Sequence, residues 1–341
     1  MHRGAVMARI GWFLGMTVLC LAMLPMLGCE QPRQSTSFLS TPAPTSGDPQ
    51  AQAAQIIFDG LADPDPQVRA NAVEVVVTTR QVRFMSRVQR MLQDEAIPVR
   101  FLAIMAVGDL EYAVARNDVA PLLNDPNSNI KMAAAYAMMK LGETQYYRVF
   151  RNQVTSEDQT VRANAALLLG KSGQKDAVRF LYWTLRRPDS SDKVVFQALE
   201  SIAMQRDERI YRRLWSQLIS KYADDRLLGV RAMGVLGTEQ AKNAIITMLD
   251  DNVLEVRLAA AEQLGKLGEP VGEAKVAEVF EKNLLAGMDA ESQQRAKVLG
   301  ALAIGEIGSE PLSKHLPPLL RDPSKPVRLA AAKAVFRCMA K

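Results

Sequence analysis

"DPDPQVRANAVEVV" (residues 63–76) and "EDQTVRANAALLLGKSG" (residues 157–173) are near copies of one phrase, and one copy alone would pass for an ordinary amphipathic helix. The phrase returns as "DEAIPVRFLAIMAVG" (94–108), "DDNVLEVRLAAAEQLG" (250–265) and "DPSKPVRLAAAKAV" (322–335). A self-similar period of about 20–50 residues decides architecture before any other signal. Anchored on the apolar residue that usually precedes an Arg, the copies begin at Val68, Val99, Ile130, Val161, Val194, Leu228, Val256, Ala296 and Val327. Two of them lack the following base, with Val195 and Gly229 in its place, and the longest gap, before Ala296, implies an insertion near "GEPVGEAKVAEVF".

Four positions after each anchor stands a small residue, such as Ala72, Ala165 or Ala260, and eight after it an apolar one, such as Val76, Leu169 or Leu264. Positions i, i+4 and i+8 share one helical face, and a small residue in their middle lets a neighbouring helix approach. An acid recurs five positions before the anchor (Asp63, Asp94, Asp125, Asp189, Asp251, Glu291, Asp322), often followed by Pro, which is turn and helix-start chemistry. Ahead of each turn lies a second periodic stretch, for example "DAVRFLYWTLRR" from Asp176. Each unit therefore reads helix, turn, helix. The recurrent Arg69, Arg100, Lys131, Arg162, Arg257 and Arg328 are expected to face the acids of adjacent turns and tie the units together rather than form a ladder for nucleic acid.

The phrase resembles the HEAT-like repeats of the phycobilisome-lyase type, whose hallmark is D-P-x-x-x-V-R-x-x-A-x-x-x-L-G. The resemblance covers residues 51–341 and implies an all-α, right-handed α-solenoid of about nine helix-turn-helix repeats. With helices packed about 8–10 Å apart, such a stack is expected to be elongated, roughly 80–90 Å long. The fold hosts many roles and so does not name one.

Residues 1–28 have a different character. Arg3 and Arg9 precede the apolar run "IGWFLGMTVLCLAMLPMLG", the layout of an export signal. The residues Met26-Leu27-Gly28 before Cys29 resemble a bacterial lipobox, which implies acylation of Cys29 as the mature N-terminus. An uncleaved membrane helix and ordinary secretory cleavage are the alternatives. Glu30 is not the Asp that the resemblance associates with inner-membrane retention, so the periplasmic face of the outer membrane is the expected address. Residues 29–50, rich in Ser, Thr, Pro and Gln, read as a flexible linker between lipid and repeats.

Chemistry-bearing motifs are sparse. The leader aside, the one His is His315, expected at a surface or helix end; no H-x-x-x-H, C-x-x-C, phosphate loop or G-x-S-x-G occurs. No catalytic residue, metal or cofactor is expected. Residues 29–341 carry 42 − 2 = 40 Lys plus Arg against 37 Asp plus Glu, a net of +3, which does not mark a nucleic-acid binder. The charge is uneven. Residues 146–222 hold 14 basic and 8 acidic residues and ten of the twenty aromatics, the composition that interface hot spots favour.

These readings converge on a membrane-tethered, non-catalytic protein-interaction scaffold of the bacterial cell envelope. The alternatives are an enzyme or enzyme subunit of the bilin-lyase-like class and a structural component of an envelope assembly. The expected partner is another protein or peptide, with the membrane reached through the N-terminal lipid. In the family the second helices line the concave surface. Positions +2 and +6 of those helices are apolar in several units, so the resemblance implies a groove formed by Phe101, Met105, Met132, Tyr136, Leu167 and Phe196. The competing placement buries these residues between crowded second helices.

Overall fold

The structure, a computed structural model, describes residues 47–340, and these contain helices and turns but no strand. The second helices of the nine units run Pro66–Thr78, Ile97–Asp109, Ser128–Lys140, Gln159–Lys171, Asp192–Met204, Ala223–Leu236, Leu254–Lys266, Ala290–Ile307 and Lys325–Met339. The first helix, Pro49–Gly60, starts two residues inside the stretch assigned to the linker, capped by the Asp48 side chain. Among the described residues no helix is long and apolar enough to cross a membrane. The leader and Cys29 lie outside the described residues.

The recurrent acid builds the turn before five of the nine second helices, while Glu291 lies inside the helix Ala290–Ile307. The turn-building side chain accepts the backbone N–H two residues on, in Asp63 (2.9 Å), Asp94 (2.9 Å), Asp125 (2.8 Å), Asp251 (2.8 Å) and Asp322 (2.8 Å), the local mimicry of a backbone turn that Asp performs well. A base from the preceding unit then takes the remaining valence. Arg69 donates to both oxygens of Asp94 (2.8 and 2.7 Å), Arg162 to Asp189 (3.0 Å) and Lys297 to Asp322 (2.7 Å). The Arg guanidinium also donates backward to the carbonyl six residues earlier, as from Arg69 to Asp63 (2.8 Å) and Arg328 to Asp322 (2.7 Å). Arg69 and Arg162 thus join their own turn to the next, whereas among the described residues Arg100, Arg257 and Arg328 donate only to carbonyls of their own turn.

The sixth unit departs from the sequence reading. Arg226 donates to the carbonyl of Ser220 (3.0 Å) and to Asp251 (2.7 and 2.8 Å), the two roles that Arg69 fills. The anchor of that unit is therefore Asp225, three residues before Leu228, and its repeat Arg is present. Two glycines agree with the shift. Gly234 now stands nine residues after the anchor, as Gly108, Gly170, Gly265 and Gly305 do, where a Cβ would come within 2.4 Å of Gln263 on the next helix. Gly237 takes the place twelve after the anchor, where the chain leaves the helix with φ of 65°, matching Gly173 (69°) and Gly308 (70°).

A larger correction concerns shape. The expected elongated stack closes on itself: the first helix, burying Ala53 and Ile57, packs along the last, Lys325–Met339, as an outer helix packs on its predecessor elsewhere. At this seam Lys325 reaches Asp63 (2.7 Å), Arg83 lies over Phe336 (5.5 Å) and Lys333 approaches Glu74 (3.9 Å). The nine second helices consequently form a closed inner ring, with the first helices outside it.

The predicted groove is packed shut. Phe101, Met105, Met132, Tyr136 and Leu167 are buried and Phe196 is half-buried, so an open apolar groove across units two to five is not what the second helices form. Position +6 points into shared interior: Tyr136 donates to Asp109 (2.6 Å) on the previous second helix, and Lys171 reaches that same Asp109 (3.0 Å) from the helix beyond. These contacts run between second helices of neighbouring units, the competing placement in which crowded second helices bury the stripe.

Candidate interaction surface

With the inner helices committed to the ring, the outer helices of units four to six carry the exposed chemistry. In Ala177–Arg186 the buried residues are Ala177, Leu181, Thr184 and Leu185, a helical stripe that turns Arg179, Trp183 and Arg186 outward. In Tyr211–Leu218 the buried pair Leu214 and Leu218 leaves Arg212, Arg213 and Trp215 outside. Trp183, Trp215 and Tyr222 are 41%, 38% and 42% exposed, high values for residues with so much apolar area to hide.

Cations lie over several rings of this region. Arg187 stands over Trp183 (4.8 Å), Arg179 and Arg151 over Phe180 (4.7 and 5.5 Å), Arg186 and Arg209 over Tyr182 (5.7 and 5.3 Å), and Lys221 over Tyr222 (4.9 Å). Each ring face attracts the charge and holds a long side chain in place at the surface. Between the outer helix Tyr147–Arg151, its following turn and Ala177–Arg186 lies a groove of about 500 Å³ lined by Arg151, Asn152, Val154, Thr155, Arg179, Phe180 and Trp183. Burial and the hydrogen bond to Asp176 (2.7 Å) push the Tyr147 phenol above its usual range, so this ring beside the groove stays neutral.

The uneven composition of residues 146–222 thus has a spatial counterpart, although the ten aromatics divide. Phe150 and Tyr147 are core and stack edge to face at 5.3 Å, Tyr146, Phe180, Tyr182, Phe196 and Tyr211 are half-buried, and the remaining three are exposed. The signal that sorts them is the spacing from Leu181 and Leu214. Composition alone could not supply it.

A second polar feature was not anticipated. At position +6 the first, fifth, sixth, seventh and ninth units carry Glu74, Glu200, Arg231, Glu262 and Lys333, and all but the half-buried Arg231 are buried. Burial pushes the Glu74 carboxyl up to about 8, against the pull of Lys333, Arg231 and Lys266. Burial likewise lowers the Lys333 ammonium. Glu262 ends below its usual value because Lys266, at 2.7 Å, with Arg231 and Lys333 outweighs the burial that pushes it up. Arg231, Lys266 and Glu262 come from the far side of the ring relative to Glu74, which places these charges at its centre. Among the described residues no group of His, Cys, Asp and Glu is arranged to hold a metal. His315 stacks on Phe280 (5.1 Å) at the start of the helix Leu316–Leu320, a helix-end position as expected.

Residues 84–155 match the HEAT repeats family. No curated protein matches the chain in sequence. Among solved structures, human deoxyhypusine hydroxylase is similar at 17% identity, with 78% of this chain and 99% of that one covered and a TM-score of 0.38. The complex of CpcE and CpcF of phycocyanin lyase from Nostoc sp. PCC7120 is similar at 17% identity over 80% and 98%, with a TM-score of 0.42. Kap121p is similar at 12% identity over 82% of this chain and 37% of that one, with a TM-score of 0.34. The repeat phrase, its nine stacked helix pairs among the described residues and the family match over two of them identify a HEAT-like repeat protein.

Proposed function

We propose that the protein is a membrane-tethered, non-catalytic interaction scaffold of the cell envelope, which binds another protein through the outer helices of units four to six. The observation that carries this reading is the run of exposed aromatic and Arg side chains on consecutive outer helices and the turn that follows them, Trp183, Trp215 and Tyr222 among them. Such residues contribute most to protein interfaces because they bury large areas at small entropic cost. Tethering rests on the lipobox-like Met26-Leu27-Gly28-Cys29 and on the linker that follows it; an acyl chain contributes about 0.8 kcal/mol per buried methylene.

A photo-crosslinking residue in place of Trp183 should give a discrete adduct in cells, whereas the same residue in place of the exposed Val271, on the outer part of unit eight, should give none. Equal adducts at both positions would remove the argument for this face. Cys29→Ser should abolish palmitate labelling. Labelling that survives the substitution would end the lipoprotein assignment.

A further inference from the structure

The groove between the outer helices of units four and five has a floor and two charged edges. Val154, Phe180 and Trp183 supply apolar surface, and Arg151 and Arg179 stand above it. No carboxylate lines the groove, and neither Arg forms an ion pair among the described residues, unlike Arg69, Arg162 and Arg226 of the repeat joints. Arg151 donates only to the neighbouring Asn152 side chain, through long bonds of 3.2 and 3.3 Å. A guanidinium that rests its flat face on a ring keeps its N–H edge free, and that edge matches the two oxygens of a carboxylate.

Resting on the scaffold reading above, we propose that this groove takes an acidic segment of a partner protein, with one aromatic or aliphatic side chain seated among Val154, Phe180 and Trp183 and flanking carboxylates on Arg151 and Arg179. The volume of about 500 Å³ suits a large side chain together with its neighbouring backbone. Charge complementarity selects the partner: with two cations and no anion on its walls, the groove leaves a basic segment unpaired and repelled. The apolar floor distinguishes the site from a general basic surface, because acid alone fills only its edges.

The test uses the full-length protein and three fluorescent peptides. In the first a single phenylalanine lies among glutamates, in the second lysines replace the glutamates, and in the third serine replaces the phenylalanine. Anisotropy should register the first peptide and at least about tenfold weaker binding of the other two. Arg151→Ala with Arg179→Ala, and separately Trp183→Ala, should each weaken the first peptide by about tenfold or more. Arg90→Ala with Arg321→Ala, exposed on units two and nine and outside this surface, should leave it unchanged. Equal loss from the Arg90 and Arg321 variant, equal binding of the serine peptide, or no binding of any peptide would overturn the proposal. Tight binding to phosphatidylglycerol vesicles that competes with the peptide would reassign the groove to a lipid surface and overturn it equally. If the peptides fail while crosslinking at Trp183 still yields its adduct, the scaffold reading stands and only this ligand class falls.

Discussion

The inner ring has two arcs that use the same helical position for opposite chemistry. At position +6, units two to four carry Met105, Tyr136 and Leu167, all buried without charge. Units five, six, seven, nine and one carry Glu200, Arg231, Glu262, Lys333 and Glu74. Both arcs face the same closed interior and rest on second helices of 13 to 15 residues. The apolar arc is stabilised by area removed from water, about 25 cal/mol per Å². The charged arc must offset desolvation with mutual attraction, which burial makes costly. Its groups show that tension directly: Glu74 and Lys333 lie 3.9 Å apart, yet burial shifts both toward their neutral forms. A repeat fold therefore fixes where side chains point without fixing what kind of energy they contribute.

The largest expected effect lies in the apolar arc. Leu167 is wholly buried on the second helix of unit four, and Leu167→Ala removes contact area and leaves a cavity. A loss of roughly 2–5 kcal/mol is expected, read by urea denaturation. A cost below about 1 kcal/mol would mean that the interior collapses freely around the gap, and the two arcs would differ less than their packing implies.

The charged arc is sharpened by pH. The folded Glu74 carboxyl titrates at about 8 against 4.5 for an ordinary glutamate. Between those values the folded state holds a proton that the unfolded chain has released, so stability declines as pH rises. The contribution is whole below about pH 4.5 and is lost as pH passes through about 8. Glu74→Gln keeps the shape and removes the titration. The stability difference, wild type minus variant, should fall by roughly 1.4 kcal/mol per pH unit across that window, measured as thermal unfolding from pH 4 to pH 9 with Lys333, Arg231, Lys266 and Glu262 left in place. A difference that rises with pH would show that the cations dominate and that Glu74 is held ionised.

How much of this the sequence disclosed follows from the range over which each feature is decided. The helix pairs, the Asp turns and the Arg joints were legible because each is settled within one unit and the next; Arg69 and Asp94 are 25 residues apart. The sixth unit misled because Leu228 and Gly229 mimic an anchor whose true Arg, Arg226, lies just upstream. Ring closure was not legible, since it accumulates from small rotations at every joint and no single residue encodes it. The apolar stripe was read correctly as a face and wrongly as an open one. Phe101 and Tyr136 are buried, and Tyr136 meets Asp109 of the preceding second helix and Phe150 of the next outer helix, the crowding of neighbours that the competing placement describes. Along the outer helices the crowded aromatics of residues 146–222 drew attention, but only helical phase separates the buried Tyr147 and Phe150 from the exposed Trp183 and Trp215.

The smallest expected effect tests whether the seam is a joint like the others. Within the chain, Arg69 holds Asp94 through two bonds with both side chains only 10% exposed. At the seam the donor is Lys325, 45% exposed, and it meets Asp63 through a single ammonium. Asp63 feels the contact: burial pushes its carboxyl up, but the Lys325 ammonium and the Asp65 N–H together hold it below the usual range. An exposed Lys is screened and loses side-chain freedom when fixed, so Lys325→Ala should cost no more than about 1 kcal/mol. Arg69→Ala, which leaves the half-buried Asp94 carboxylate with only the Ala96 N–H, should cost roughly 1.5–3 kcal/mol. Because Ile57 and Leu329 are buried where the first and last helices meet, the Lys325 variant should keep the wild-type radius of gyration in small-angle scattering. An expanded radius at unchanged helix content would mean that one ion pair governs closure. The seam would then be an electrostatic latch, distinct from the other joints.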